Sequence, residues 1–375
     1  LRKLTVLQVL PALQSGGVER GTLEVAAALV AQGHRSLVMS AGGRMVAELE
    51  AAGSTHLTCP VGRKSLLTLL WIPKLQRIWR QMQVDIVHVR SRFPAWVVYW
   101  AWKTMPRAQR PRLVTTVHGY YRPGRYSRIM TAGEQVIVIS KTIQAYAQTH
   151  YQLENHKMTL IYRGVDTTQY FPGYQPEADW KQQWFAQYPQ TQGKRLLLLP
   201  ARISRWKGAE DFVELVGVVC RQHKDIHALL VGEVDTGKQA FAATLQHQIA
   251  LAGLSDCVTM TGYRKDVKNI MAISEIVYSL SLAPEAFGRT TLEALSLGVP
   301  VIAYDHGGVA EQMAAFLPEG AVQVGNIAEA AILTLNWLEE RPAVRPNTLF
   351  TLSEMQQKTL DVYQHVMSQP LDVNS

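Results

Sequence analysis

The sequence predicts an α/β protein of two doubly wound domains that face one another across a deep cleft. Three observations carry that prediction. Short, almost continuously apolar runs alternate with longer helical patterns, as parallel strands covered by helices on both faces require. A polar stretch with several Pro and Gly residues, 171–194, interrupts the alternation near the middle. And 375 residues, 47% hydrophobic and 18% charged, suit two packed cores and exclude global disorder.

The chain opens with Leu4–Leu10, a run carrying Val6, Leu7 and Val9 that meets Pro11 and then Gly16-Gly17. It is too short and lacks the small-residue cleavage site of a signal peptide, so a strand is expected. Val18–Ala31 places Leu23, Ala26, Ala27 and Val30 at core spacing and reads as the first helix. His34–Ser40, Ile86–Val89, Leu113–His118 and Gln135–Ile139 are the other strands expected in this half. The aromatic run Phe93, Trp96, Tyr99, Trp100 and Trp102 fits an amphipathic or buried helix, with core packing expected for each ring.

After the polar stretch the alternation resumes with Arg195–Pro200, His227–Val231, Val258–Met260, Ile276–Ser281 and Val299–Tyr304 as strands. Helices are expected over Ala209–Arg221, Lys238–Leu251 and Thr290–Leu297. Leu352–Val366 is a last helix, which either docks locally or crosses back to the first domain; its pattern fits both. The resulting division is 1–172, 173–348, and a helix and tail over 349–375 that can pack on the first domain.

Lys and Arg number 38 against 30 Asp and Glu, a net charge of +8 that suits an anionic substrate or membrane surface. Nucleic acid is not expected, because no zinc-finger spacing, dense basic tail or aromatic RNA-binding segment is present. Cys59, Cys220 and Cys257 form no CxxC pair, which points to a reducing compartment. No apolar stretch approaches the ~18 residues of a bilayer-spanning helix.

Three segments carry chemistry. Gly16 and Gly17 follow the first strand and open a helix, where exposed amides can receive a phosphate or a sugar hydroxyl; a tight turn is the plainer alternative. No GxGxxG, GKS or GKT follows, which argues against a dinucleotide site and a P-loop. Arg202, Arg205 and Lys207 cluster at the carboxyl end of Arg195–Pro200, where Arg202 can grip a diphosphate and Lys207 can add a compact charge. Glu285 lies in a loop marked by Pro284 and Gly288, and Glu293 lies in the helix beyond it. Both carboxylates can accept hydrogen bonds from sugar hydroxyls, and the amides over 287–290 can meet phosphate.

Together, Gly16-Gly17, His118, Arg202 with Lys207, Glu285-x7-Glu293, and the wording Glu285-Ala286-Phe287-Gly288 through Gly298-Val299-Pro300-Val301-Ile302 resemble glycosyltransferase family 4. The resemblance covers essentially the whole chain. It implies the GT-B architecture of two facing Rossmann-like domains, the N-terminal one binding an acceptor and the C-terminal one a nucleotide-sugar donor. The catalytic set it implies is Glu285, His118, Arg202 and Lys207. Arg202 and Lys207 neutralise the diphosphate, Glu293 holds the ribose, and Glu285 orients the donor sugar. Gly16 and Gly17 allow close backbone approach. Phe287, Gly288, Arg289 and Thr290 sit under sugar and phosphate, Arg289 being unusually bulky there. Tyr263 and Arg264 fall where the family forms its nucleobase pocket, and Asp305-His306-Gly307-Gly308 can form a close ligand turn leading to Glu311.

The resemblance further implies retention of anomeric configuration, by front-face attack within a tight ion pair and without a covalent enzyme intermediate. The donor is a GDP- or UDP-sugar, no other cofactor is expected, and no DxD-like sequence suggests a divalent metal. The likeness is to bacterial transferases that build lipopolysaccharide cores or surface glycans. Arg90-Ser91-Arg92 and Tyr120-Tyr121-Arg122 with Arg125 and Arg128 suit an anionic saccharide or lipid-linked acceptor, whereas Arg107, Arg110 and Arg112 can equally be a solvated rim. The expected setting is cytoplasmic. The aromatic run and Leu66, Leu67, Leu69, Leu70 and Trp71 beyond Arg63-Lys64 offer peripheral contact with the inner face of the membrane. A nucleotide-sugar epimerase and a non-catalytic sugar-binding protein are the rival functions.

Overall fold

The computed structural model describes residues 2–370 except 15, 64–67, 69, 235 and 236. The chain divides into two compact units, Leu1–Gly164 with Leu352–Ser375, and Val165–Thr351.

The first unit runs β1 (Thr5–Val9), α1 (Gly17–Ala31), β2 (Arg35–Ser40), α2 (Val46–Ala51), β3 (Thr55–Thr58), α3 (Trp71–Gln81), β4 (Ile86–Val89), α4 (Arg92–Lys103), β5 (Arg112–Val117), α5 (Arg125–Arg128), β6 (Gln135–Val138), α6 (Lys141–Tyr151) and β7 (Met158–Leu160). The sheet order is β3-β2-β1-β4-β5-β6-β7, and every pairing is parallel. The second unit runs α7 (Ala178–Gln187), β8 (Arg195–Pro200), α8 (Ala209–Gln222), β9 (Ile226–Val231), α9 (Gln239–Leu251), β10 (Val258–Gly262), α10 (Val267–Ala272), β11 (Ile276–Ser279), α11 (Arg289–Ser296), β12 (Val301–Tyr304), α12 (Gly307–Phe316), β13 (Ala321–Val322) and α13 (Ile327–Glu339). Its parallel sheet has the order β10-β9-β8-β11-β12-β13. Central strands such as β4 and β5 are buried along their whole length, which is why they read as unbroken apolar runs.

The strands that sequence patterning missed, β3, β7 and β13, all lie at sheet edges. Each is short and largely half-buried or exposed, so none carries a continuous apolar run. The junction expected at 172 lies instead at Gly164–Val165. Val165 donates its N–H to the Phe350 carbonyl at 3.1 Å and pairs with Thr351, and Pro172 packs 3.3 Å from where a Cβ on Gly298 would stand, which ties 165–172 to the second unit.

α14 (Leu352–Ser368) returns to the first unit. It buries Met355, Leu360, Val362, Tyr363 and Val366 against Leu4, Val6, Val25, Leu29, Ile86, Val114, Ile137 and Ile161. Of the two placements open to this helix, the crossing one holds.

α4 corrects the expectation that its aromatic rings fill the core. The buried face is Pro94, Ala95, Val97, Val98 and Ala101, small or β-branched residues that bring the helix close to the sheet. The rings lie on the outer half. Trp96 donates to the Tyr126 carbonyl at 3.0 Å, Trp102 to the Pro111 carbonyl at 2.8 Å, and Trp100 is 43% exposed. Lys64, Leu66, Leu67 and Leu69, considered above for membrane contact, fall outside the described residues; Leu70 is 70% exposed. Among the described residues no helix is long and apolar enough to cross a membrane.

Candidate functional site

In the second unit the strand order reverses between β8 and β11, the position at which doubly wound sheets bind ligands beyond their carboxyl ends. The loop leaving β8 buries Ile203 and Ser204 and makes a single 3₁₀ turn, Arg205–Lys207. Gly208 then takes φ 73°, and a Cβ there would lie 2.0 Å from the Leu280 carbonyl oxygen at the end of β11. The Leu282 N–H donates to the Trp206 carbonyl at 2.8 Å, fastening the two loops together. Gly208→Ala is therefore expected to destabilise the second unit by at least about 2 kcal/mol, from the left-handed backbone and the collision combined. A lowered melting temperature, together with weakened binding of nucleotide diphosphate by calorimetry, checks this.

That fastening places Lys207 Nζ 2.7 Å from Glu285 Oε1, with both side chains less than one-fifth exposed. The ammonium also lies 4.3 Å from the centre of the Trp206 ring. Ser281 Oγ donates to the same carboxylate oxygen at 2.5 Å, and His306 Nε2 donates to the Ser281 carbonyl at 2.7 Å. The Gly308 N–H holds the Glu285 carbonyl at 2.7 Å. Side chains at Gly307 or Gly308 would stand 2.5 Å from the carbonyl oxygens of Glu285 and Ala286, so the start of α12 packs on this loop as bare backbone. Gly288, at φ 87°, caps α11, and Gln312 Nε2 donates to the carbonyls of Phe287 and Gly288. Within α11, Arg289 and Glu293 form an i,i+4 pair at 3.7 Å. On the loop that carries Lys207, Arg202 is exposed and Arg205 turns to solvent with Glu210 at 3.0 Å. Among the described residues no group of three or more His, Cys, Asp or Glu side chains could hold a metal ion.

The first unit has its own reversal, between β1 and β4. Gly16, at φ 133°, precedes α1, and a Cβ there would meet Glu19 Oε2 at 2.8 Å; Gly17 is the exposed first residue of the helix. Burial raises the Glu19 carboxyl above its ordinary range. Around the ends of β4 and β5 lies a buried basic group. His88 bonds Tyr363 Oη through Nδ1 at 2.7 Å and Thr116 Oγ1 through Nε2 at 2.6 Å. Burial pushes the Tyr363 hydroxyl up to about 12. Arg90 is 2% exposed, and its Nε and Nη1 have no protein acceptor. His118 Nδ1 lies 2.6 Å from Arg163 Nη2, while its Nε2 is buried without a protein partner. Such an unmet polar atom costs about 1–3 kcal/mol unless a ligand or water satisfies it. Burial, reinforced by the charges of Arg163, Arg90 and His88, holds the His118 ring well below the usual imidazole range.

Residues 15–169 match the model of Glycosyltransferase Family 4, and residues 181–349 match that of Glycosyl transferases group 1. The crystal structure of a glycosyltransferase from Rickettsia africae ESF-5 is 29% identical, covers 99% of this chain and 100% of its own, and superposes with a TM-score of 0.86. The chain is a nucleotide-sugar-dependent glycosyltransferase of the GT-B fold. The same fold is seen in HepE of Anabaena, solved with UDP and glucose, at 20% identity, a TM-score of 0.81 and coverage of 96% and 100%. The lipopolysaccharide core biosynthesis mannosyltransferase LpsB of Rhizobium meliloti is 30% identical over 41% of this chain and 42% of its own.

In this glycosyltransferase Lys207 and Glu285 are brought into contact, and Gly288, Arg289, Thr290 and Glu293 form the turn and the opening of α11. The Phe287 ring is 3% exposed and packs on Phe350 at 5.8 Å, which leaves its backbone to the loop. The Arg264 guanidinium grips Asp266 at 2.9 and 2.6 Å, reaches Gln187 at 3.0 Å and lies over Trp184 of α7. Tyr263 beside it is 46% exposed. In the basic segments of the first unit, Arg112 is paired with Glu134 at 2.7 Å and Arg110 caps the Met105 and Lys103 carbonyls, whereas Arg122 and Arg125 are exposed.

Sequence reasoning missed Ser281, Gln312 and Arg163. Ser281 ends a predicted strand, and no motif around it singles it out. Arg163 follows β7, the edge strand that the apolar pattern did not reveal. With β7 recognised, Arg163 would have stood beyond a strand's carboxyl end, as His118 does.

Proposed function

We propose that this transferase is a retaining enzyme that moves a hexosyl group from a GDP- or UDP-sugar to a hydroxyl of a cell-envelope glycan or glycolipid. The observation that carries the reading is the Lys207–Glu285 pair at the reversal of the second sheet, with Arg202 on the same loop. An arriving diphosphate competes with Glu285 for the Lys207 ammonium. Lys207 and Arg202 then stabilise the charge that grows on the departing phosphate, and Glu285 is freed toward sugar hydroxyls while Ser281 keeps it oriented. The amides opening α11 add partial positive charge to the phosphates, and Glu293 serves the ribose. Tyr263 and Arg264 serve the base, Arg264 being oriented by Asp266. The acceptor hydroxyl attacks the face that the leaving phosphate vacates, and that phosphate takes up its proton.

The acceptor belongs to the first unit, where Gly16 and Gly17 allow close backbone approach to the donor. The buried Arg90 and the exposed Arg122 and Arg125 support an anionic acceptor. The lipopolysaccharide-core mannosyltransferases among its relatives support a surface glycan. The exposed Leu70 and Trp100 are consistent with a cytoplasmic enzyme that touches the membrane peripherally.

A mass-resolved panel of UDP-, GDP- and ADP-sugars with bacterial lipid and oligosaccharide acceptors, run with and without chelator, tests this. A donor-specific mass increment on one acceptor class, with the anomeric configuration kept in the product by NMR, is the expected result. An inverted linkage, or donor conversion with no acceptor product, overturns it.

A further inference from the structure

We propose that Arg163 is a positioning residue that fixes the proton of His118 on Nε2, so that His118 meets substrate as a hydrogen-bond donor to an oxygen and not as a general base. A guanidinium carries N–H donors and no acceptor. With Arg163 Nη2 2.6 Å from His118 Nδ1, that ring nitrogen accepts, and the ring's own proton must sit on Nε2. Nε2 is the atom left buried without a protein acceptor. Burial and the charges facing the ring work against a second proton: Arg163 from the segment after β7, Arg90 from just beyond β4, and His88 from β4. Tyr121, in the loop after β5, accepts the backbone N–H of His118 on its Oη at 3.3 Å. A ring that cannot gain a proton cannot take one from an acceptor hydroxyl, which leaves donation as its role.

Two helices are shaped around the guanidinium. Arg163 is 6% exposed. Gly21 lies inside α1 and does not have a positive φ, yet a Cβ there would stand 2.9 Å from Nη1 and 3.2 Å from Cζ. Glycine weakens a helix interior, and the space it leaves is where Arg163 lies. From the other side, Met355 of α14 puts its Sδ 3.8 Å from Nη1. The guanidinium is thus held by α1, α14 and the imidazole together.

The tautomer is independent of the proposed reaction; its use, donation to a sugar hydroxyl or phosphate oxygen, rests on the transferase reading. The test is a long-range proton–nitrogen NMR correlation of full-length protein labelled with nitrogen-15 histidine, His118 being assigned by its loss in His118→Gln. The expected wild-type ring is protonated on Nε2 alone from pH 6 to 9. In Arg163→Met the ring exchanges between tautomers or titrates, and kcat for transfer falls roughly 10- to 100-fold with a smaller change in donor KM. Arg163→Lys restores part of both. Gly21→Ala displaces the guanidinium without removing it and gives the same spectral change more weakly, so it decides the matter if Arg163→Met does not fold. A wild-type proton on Nδ1, or an Arg163→Met ring identical to wild type, overturns the proposal. The expected tautomer in a protein that transfers no sugar overturns the transferase reading and leaves the lock standing.

Discussion

Lys207→Ala is expected to lower kcat/KM for sugar transfer by roughly 10²- to 10³-fold while leaving the fold intact. The reasoning is electrostatic. The leaving diphosphate gathers charge as the glycosidic bond breaks, and a preorganised cation in a site shielded from water is worth several kcal/mol to that state, about the effect of removing one oxyanion donor. Lys207 is less than one-fifth exposed and already oriented by Glu285 and the Trp206 ring, so little reorganisation accompanies its use. Without it Glu285 is left with the Ser281 hydroxyl among the described residues, a carboxylate facing an incoming dianion. Steady-state kinetics with a thermal melt checks both halves: a loss smaller than about threefold would falsify the role given to Lys207. The stability cost stays within about 1 kcal/mol, because the pair remains partly solvated.

Truncation after Thr351 is expected to unfold the first unit while the second stays folded. Met355, Leu360, Val362, Tyr363 and Val366 of α14 close the apolar surface of Leu4, Val6, Ile86 and Val114. At about 1.5–3 kcal/mol for each buried side chain, their removal costs about 7–15 kcal/mol, comparable to the whole stability of an ordinary domain. His88 and Arg90 would also lose Tyr363, leaving two buried basic groups with fewer partners. Hydrogen exchange resolved by peptide should show protection lost over 2–164 and kept over 195–340. Cooperative unfolding of the first unit in the truncated chain would remove the case for α14 as part of its core.

Much of the candidate site was legible because its pieces are local. Arg202 and Lys207 follow one strand, and Glu285 through Glu293 span one loop and one helix, so reading strand ends was enough to collect them. The partners of these side chains were not legible. Nothing near Arg264 in sequence announces Gln187 or Trp184, and the Phe350 that covers the Phe287 ring lies far along the chain. A side chain's partners are set by what folds against it, and local pattern does not carry that.

Hydrophobic period and turn residues by themselves determined the two parallel sheets, since strands buried on both faces must be continuously apolar. They also determined the strand ends at which cations and carboxylates accumulate, and the family likeness carried by those ends. Only the tertiary structure decided that Lys207 meets Glu285, that α14 completes the first unit, that α4 turns its small residues inward and its rings outward, and that Arg163 grips His118. Each of these depends on contacts between segments distant in sequence. Such contacts form only once the sheets have fixed the distances between strand ends, so no periodicity within a single segment can specify them.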